Sequence, residues 1–264
     1  MNFPAIYDHC CPQFQKALRR WVWKSSPELR EDMTSTTTGG KVMKAAVAER
    51  PLLKPMGKTL ATLEAKLNAR IMVTSDDEEI LAIAWQYKNE GVIAYKRPAE
   101  LATDAASTAD VLIDAVKAEQ ASGYDPKTLV LLQPTSPLRT ADDIRAALEV
   151  FREGGCEDTV VTVCEVDHPT AWVGTIGEGS KLEGIDLSGK RSQDYRKEYR
   201  LNGAVYVART DHLLNSGSLF TEGVRASVMP RVRSLDIDES VDFRVCEGLI
   251  GSFDGHPVPE PENQ

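Results

Sequence analysis

No apolar run in this 264-residue chain approaches the length needed to cross a bilayer. Basic charge is scarce: 31 Lys and Arg stand against 40 Asp and Glu, a net charge of −9, with no basic stripe. That balance argues against nucleic acid and membrane surfaces as partners. Cysteine is sparse and unpatterned. Cys10, Cys11, Cys156, Cys164 and Cys246 are odd in number and form no Cys-x-x-Cys. A disulfide framework is therefore not expected, and free thiols in a reducing cytoplasm are the simplest account. His9-Cys10-Cys11 lacks a second ligand pair at finger spacing, which argues against zinc there. Asp8, His9 and the two cysteines interrupt what would be a signal-peptide core, so a cytoplasmic location is expected. No internal repeat is present.

What the chain does have is alternation of strand and helix patterns. Strands are expected at Val42–Ala48, Ile71–Thr74, Val92–Tyr95, Leu129–Leu132, Thr159–Val166 and Gly203–Ala208. Helices are expected at Thr59–Asn68, Asp77–Lys88, Ser107–Ala121, Ala141–Phe151 and Glu239–Ile250. Ser75 and Asp76 are the expected caps of the second of these helices, and Thr140 of the fourth. The rhythm predicts an α/β fold with a mostly parallel, doubly wound sheet. Residues 1–42 read as a divergent segment, expected to be poorly ordered, with a short helix over 13–23 and a Thr/Gly linker at 34–40. The α/β domain spans 43–250, and 251–264 is a polar tail. Within the domain, residues 167–200 break the pattern and read as an excursion or dimer arm.

Four segments offer chemistry. Leu131-Leu132-Gln133-Pro134-Thr135-Ser136-Pro137-Leu138-Arg139-Thr140 reads as strand, rigid loop, helix, and puts the Gln133 amide at a strand's carboxyl end, where open α/β sheets bind ligands. Asp236-Ile237-Asp238 alternates, so Ile237 points into the core and both carboxylates share a face able to hold Mg²⁺. Arg200-Leu201-Asn202-Gly203-Ala204-Val205-Tyr206 offers an amide and a glycine before a strand, and Arg200 with Arg191 could grip a carboxylate. Arg97 to Asp104, continuing to Ser107-Thr108, forms a loop that could meet a polar ring or phosphate. Taken singly, each is equally an ordinary turn or a capped helix.

Together these segments, with Thr74-Ser75-Asp76-Asp77-Glu78-Glu79-Ile80, resemble the acylneuraminate cytidylyltransferase family over roughly residues 70–250. The resemblance implies a nucleotide-diphospho-sugar transferase fold and a homodimer. It implies a reaction in which CTP and a nonulosonic (sialic-type) sugar acid give CMP-sugar and pyrophosphate with Mg²⁺. Arg97, Ala106, Ser107 and Thr108 would face the cytidine. Gln133, Asn202 and Tyr206 would contact the sugar, Arg191 and Arg200 its carboxylate, and Asp236 and Asp238 the metal. The catalytic set would be Asp236, Asp238 and Gln133.

The chain departs from the family over 43–58. There the glycine pair and most of the cations of the family's phosphate-wrapping loop are missing, leaving Arg50, Lys54 and Lys58 as the cations expected to bind the nucleotide's phosphates in an altered loop. That departure implies weaker CTP binding than in an intact relative. It leaves two other readings open: a non-catalytic sugar-acid binding protein on the same fold, or a CTP-dependent transferase for another keto acid sugar.

Overall fold

The computed structural model describes residues 4–8, 69–103 and 105–253. Among these residues the elements in chain order are β1 (Pro4–Asp8), β2 (Arg70–Ser75), α1 (Glu78–Trp85), β3 (Val92–Lys96), α2 (Thr108–Ala121), β4 (Thr128–Leu132), α3 (Ala141–Glu153), β5 (Thr159–Glu165), β6 (Thr175–Ile176), β7 (Leu182–Glu183), β8 (Tyr199–Arg209), α4 (Thr210–Ser216), β9 (Val224–Val228) and α5 (Ser240–Phe253). The expected strand at 42–48, the helices at 13–23 and 59–68, Arg50, Lys54, Lys58 and the end of the polar tail lie outside the described residues.

Seven strands form one sheet in the order β3-β2-β1-β4-β8-β5-β9. Only β8 runs antiparallel to its neighbours, β4 and β5. The sheet is thus mostly parallel, as the βα rhythm predicts. The segment beside β2 and β4 is Pro4–Asp8, where the sequence predicts no strand. Its proline is the first residue of the strand, a position where a missing N–H is tolerated. The strand order reverses between β1 and β4, so the sheet's topological switch point lies at their carboxyl ends, just where β4 runs into Gln133.

The core explains the layers. Alternate residues of β4 feed opposite faces of the sheet. Val130 and Leu132 pack with Ile144, Leu148 and Phe151 of α3. Leu129 and Leu131 pack with Leu112 and Val116 of α2 and Leu213 of α4. A strand buried on both faces reads as a continuous apolar run, which is the pattern of Leu129–Leu132.

Caps follow local chemistry. Thr140 caps α3 in a reciprocal box with Asp143, and Ser107 caps α2. At α1 the cap is Asp77, whose Oδ1 accepts from the Glu79 and Ile80 amides, and not Ser75 or Asp76. Ser75 instead accepts from the Asp77 N–H, which places the true cap one residue later. α1 stops at Trp85, and a short 3₁₀ turn ending at Gly91, φ 86°, leads into β3.

Candidate active site

β8 is longer than its apolar pattern suggests, and Asn202 and Gly203 lie inside it. Val161 of β5 faces Tyr206 and Val163 faces Leu201. One residue, Thr162, separates these pairs on β5, whereas Asn202 to Val205 separate them on β8. The surplus forms a bulge, a device that re-aims a strand beside a site. Gly203 sits there at φ +71°. A Cβ on it would lie 2.7 Å from Gln133 Oε1 and 3.7 Å from both Asp236 Oδ2 and Ser136 Oγ. Three polar side chains, two from the loop after β4 and one from the loop before α5, therefore converge on one glycine, whose positive φ and lack of a side chain leave room for them.

Two of these groups have no hydrogen-bond partner among the described residues. The half-buried Gln133 amide makes no hydrogen bond among the described residues; its backbone carbonyl accepts from Arg139 at 3.0 Å and from the Ser136 N–H at 3.3 Å. Asp236 Oδ1 is buried without a partner among the described residues. Orphaned buried polar atoms cost stability and call for an explanation, of which a ligand site is one. Ile237 is 1% exposed and packs with Leu138, Phe243 and Cys246, as its alternation predicts. Its N–H donates to Thr135 O at 2.9 Å and ties the Asp236–Asp238 segment to the loop after β4.

Asp238 is exposed and lies among carboxylates. Partial burial, then the negative charges of Asp236, Asp242 and Glu239, hold its carboxyl above the usual range. Burial and the Asp236 carboxylate likewise push up the Tyr206 hydroxyl, whose ring lies 6.2 Å edge-on from Phe220. Burial, with Asp242 and Asp236, raises the Cys246 thiol to about 12, which makes it inert.

The remaining expected site residues fall differently. Asn202 is 2% exposed and its amide is fully used. Its Oδ1 accepts from Thr162 Oγ1 at 2.7 Å and Ala204 N at 3.1 Å, and its Nδ2 donates to Ser234 Oγ at 2.9 Å. Asn202 therefore builds the bulge. Arg200 is at the rim, with its guanidinium 3.4 Å from Ser234 O. Arg191 is exposed in the excursion and paired with Asp194 at 3.2 Å. Arg97 is 2% exposed and donates to Thr74 O at 2.8 Å and Thr74 Oγ1 at 3.3 Å, so it braces the carboxyl end of β2. Ser107 shares its hydroxyl with Asp110, and Ala106 and Thr108 flank it at the start of α2.

Sequence reasoning passed over Thr162, Ser234 and the buried Arg139, which bind the loops together. The available signal was a hydroxyl inside the apolar run Val160-Val161-Thr162-Val163.

A two-carboxylate set suits a hard cation whose other ligands are phosphate oxygens and water. The described residues contain no cluster of three or more His, Cys, Asp or Glu that could hold a metal by themselves. A cleft of about 370 Å³ opens at the opposite end of the central strands, where β4 and β5 begin and β8 ends, lined by Lys127, Thr128, Cys156, Glu157, Arg209 and Thr210. Its Lys127 pairs with Asp125 and its Arg209 with Asp211 and Glu157, so it carries no free cation for a phosphate.

No protein-family model matches the chain. It is 31% identical over 187 residues to an N-acylneuraminate cytidylyltransferase of Escherichia coli, covering 70% of this chain and 43% of that protein. It is 29% identical over 187 residues to the post-translational flagellin modification protein B of Campylobacter coli, covering 70% and 79%. It is 28% identical over 195 residues to a CMP-N,N'-diacetyllegionaminic acid synthase of Legionella pneumophila, covering 72% and 82%. The chain thus spans less than half the length of the first relative. Among solved structures, a CMP:2-keto-3-deoxy-manno-octonic acid synthetase complexed with CTP superposes with a TM-score of 0.55 at 13% identity, over 77% of this chain and 89% of that one. A 4-diphosphocytidyl-2C-methyl-D-erythritol synthase from Anaerococcus prevotii also gives 0.55, at 12% identity over 95% and 98%. These two likenesses establish the fold.

Proposed function

We propose that this chain, which belongs to the acylneuraminate cytidylyltransferase family, joins CTP to a nonulosonic sugar acid and releases pyrophosphate. The observation that carries the reading is the convergence of the Gln133 amide and the Asp236 carboxylate on Gly203, at the sheet's switch point, with the buried Asp236 Oδ1 left without a partner among the described residues. Gln133 orients the sugar by hydrogen bonds. Arg200 offers its guanidinium to the sugar's carboxylate. Arg191 is a second candidate for that carboxylate, on the excursion. Asp236 and Asp238 would hold Mg²⁺, which when bound would neutralise phosphate charge and make the attacking hydroxyl more acidic. Tyr206 packs beneath the sugar. Arg97 and the Ala106 to Thr108 turn shape the nucleotide side.

The buried, satisfied Asn202 serves this site by building it. The hairpin excursion exposes Trp172, Val173, Ile176, Leu182 and Leu187, an apolar patch that a second copy of the chain would cover in a homodimer. Among the described residues no helix is long and apolar enough to cross a membrane, and Cys156, Cys164 and Cys246 are free thiols; a cytoplasmic enzyme fits both.

The test is pyrophosphate release from CTP and Mg²⁺ with N-acetylneuraminate, N,N'-diacetyllegionaminate and pseudaminate in turn, alongside calorimetric binding of each component. Turnover with one of these acids is expected. Sugar-acid binding with no affinity for CTP–Mg²⁺ and no turnover would replace the enzyme by a binding protein on the same fold.

A further inference from the structure

We propose that Thr162, in the middle of the buried strand β5, is a positioning residue that sets the relative places of Gln133, Gly203 and Asp236 without touching substrate. The inference rests on the reading of those three as the sugar-acid site. Thr162 is 1% exposed, and valine would fill its space. Its hydroxyl nevertheless holds the bulge at both ends. It donates to Asn202 Oδ1 at 2.7 Å and accepts from Val205 N at 2.8 Å. Asn202 passes the constraint on through Nδ2 to Ser234 Oγ, which donates to Pro230 O at 2.9 Å. Ser234 stands two residues before Asp236.

On the other side of the bulge, Ser136 Oγ donates to Asn202 O at 3.2 Å, and Arg139 bridges the carbonyls of Gln133 and Ala204. One hydroxyl thus anchors a buried chain of hydrogen bonds that joins the β8 bulge to the two loops carrying the site. Buried networks of this kind fix a single arrangement only while every member is satisfied. Without the hydroxyl, Val205 N–H loses its acceptor and Asn202 Oδ1 keeps a single donor. The surplus residues of β8 are then free to shift, and Gly203 moves relative to Gln133 and Asp236.

The experiment compares Thr162→Val with Thr162→Ser in the full chain, by two readouts. Hydrogen exchange is the first and needs no activity. Thr162→Val should exchange about tenfold faster at 202–205 and 234–238, the order carried by one lost buried hydrogen bond, with 129–132 unchanged. Thr162→Ser should restore protection. The second readout is steady-state turnover, in which Thr162→Val should lower kcat about tenfold at saturating sugar and leave the KM for CTP unchanged.

Unchanged exchange in Thr162→Val, acceleration spread evenly over every strand, or failure of serine to restore protection would each overturn the proposal. An inactive wild type whose Thr162→Val loosens only the two loops would refute the function and keep the positioning role. An active wild type with an indifferent Thr162→Val would do the reverse.

Discussion

Replacing Gly203 with alanine tests the geometry of the site at its tightest point. The new methyl would sit 2.7 Å from Gln133 Oε1, closer than real Cβ atoms approach an oxygen, at a backbone φ of +71°. The backbone strain of a non-glycine residue there is about 1–2 kcal/mol. Restricting the unfolded chain returns about 0.4–1 kcal/mol, so the net loss is about 1 kcal/mol, a fall in Tm of about 2–4 °C. The clash itself falls on the far end of a flexible side chain. Gln133 therefore swings away and the backbone holds. That displacement removes the hydrogen bond assigned to the sugar, worth about 1–1.4 kcal/mol, or about five- to tenfold in kcat/KM for the sugar acid. A double-mutant cycle isolates the cause. In a Gln133→Ala background Gly203→Ala should still lose about 1 kcal/mol in urea denaturation but cost no further activity. Full additivity of the activity losses would refute the idea that Gly203 acts by making room for Gln133.

Asp238→Asn should reduce CMP-sugar formation sharply at saturating Mg²⁺ and leave Tm unchanged or slightly raised, because it removes one charge from a crowded acidic group; full activity would sink the metal assignment. Arg233→Ala removes a two-pronged contact to buried Asp143, at 2.8 and 3.0 Å, and should cost about 2 kcal/mol in denaturation; a loss below about 0.5 kcal/mol would show that the pair is screened. Ile237→Ala, deep in the small cluster under α5, should cost about 2–5 kcal/mol and weaken Mn²⁺ binding through Asp236; undiminished Mn²⁺ affinity would detach the cluster from the site. The excursion should be acid-labile, since hydrogen bonds from the Tyr195 hydroxyl and Ser188 lower Asp186 to about 2. A carboxyl with a depressed folded value contributes fully above the ordinary aspartate range, and the contribution fades as pH falls toward 2. Trp172 fluorescence, with Trp21, Trp23 and Trp85 changed to Phe, should report that transition, and Tyr195→Phe should weaken it.

The amino-acid sequence by itself determined the elements whose signals are local. Apolar runs place β2, β3, β4 and β5; helical spacing with Ser107 and Thr140 caps places α2 and α3; alternation turns Ile237 inward. The presence of Gln133 at a strand end and of paired carboxylates after the last strand was also legible, since each depends on a few neighbouring residues. Tertiary structure alone decided the rest. β8 is antiparallel and bulged because its register is set by partners on β4 and β5, and no local pattern encodes a register. Asn202 is a builder of the site because its amide is taken by Thr162, 40 residues earlier, and by Ser234, 32 residues later. Arg97 is drawn inward by Thr74, 23 residues away. Pro4–Asp8 lies at the switch point by pairing with strands more than sixty residues downstream. A side chain's chemistry is written in its residue type, but whether that chemistry faces a ligand or closes a hydrogen bond inside the fold depends on which distant groups folding brings within 3 Å of it.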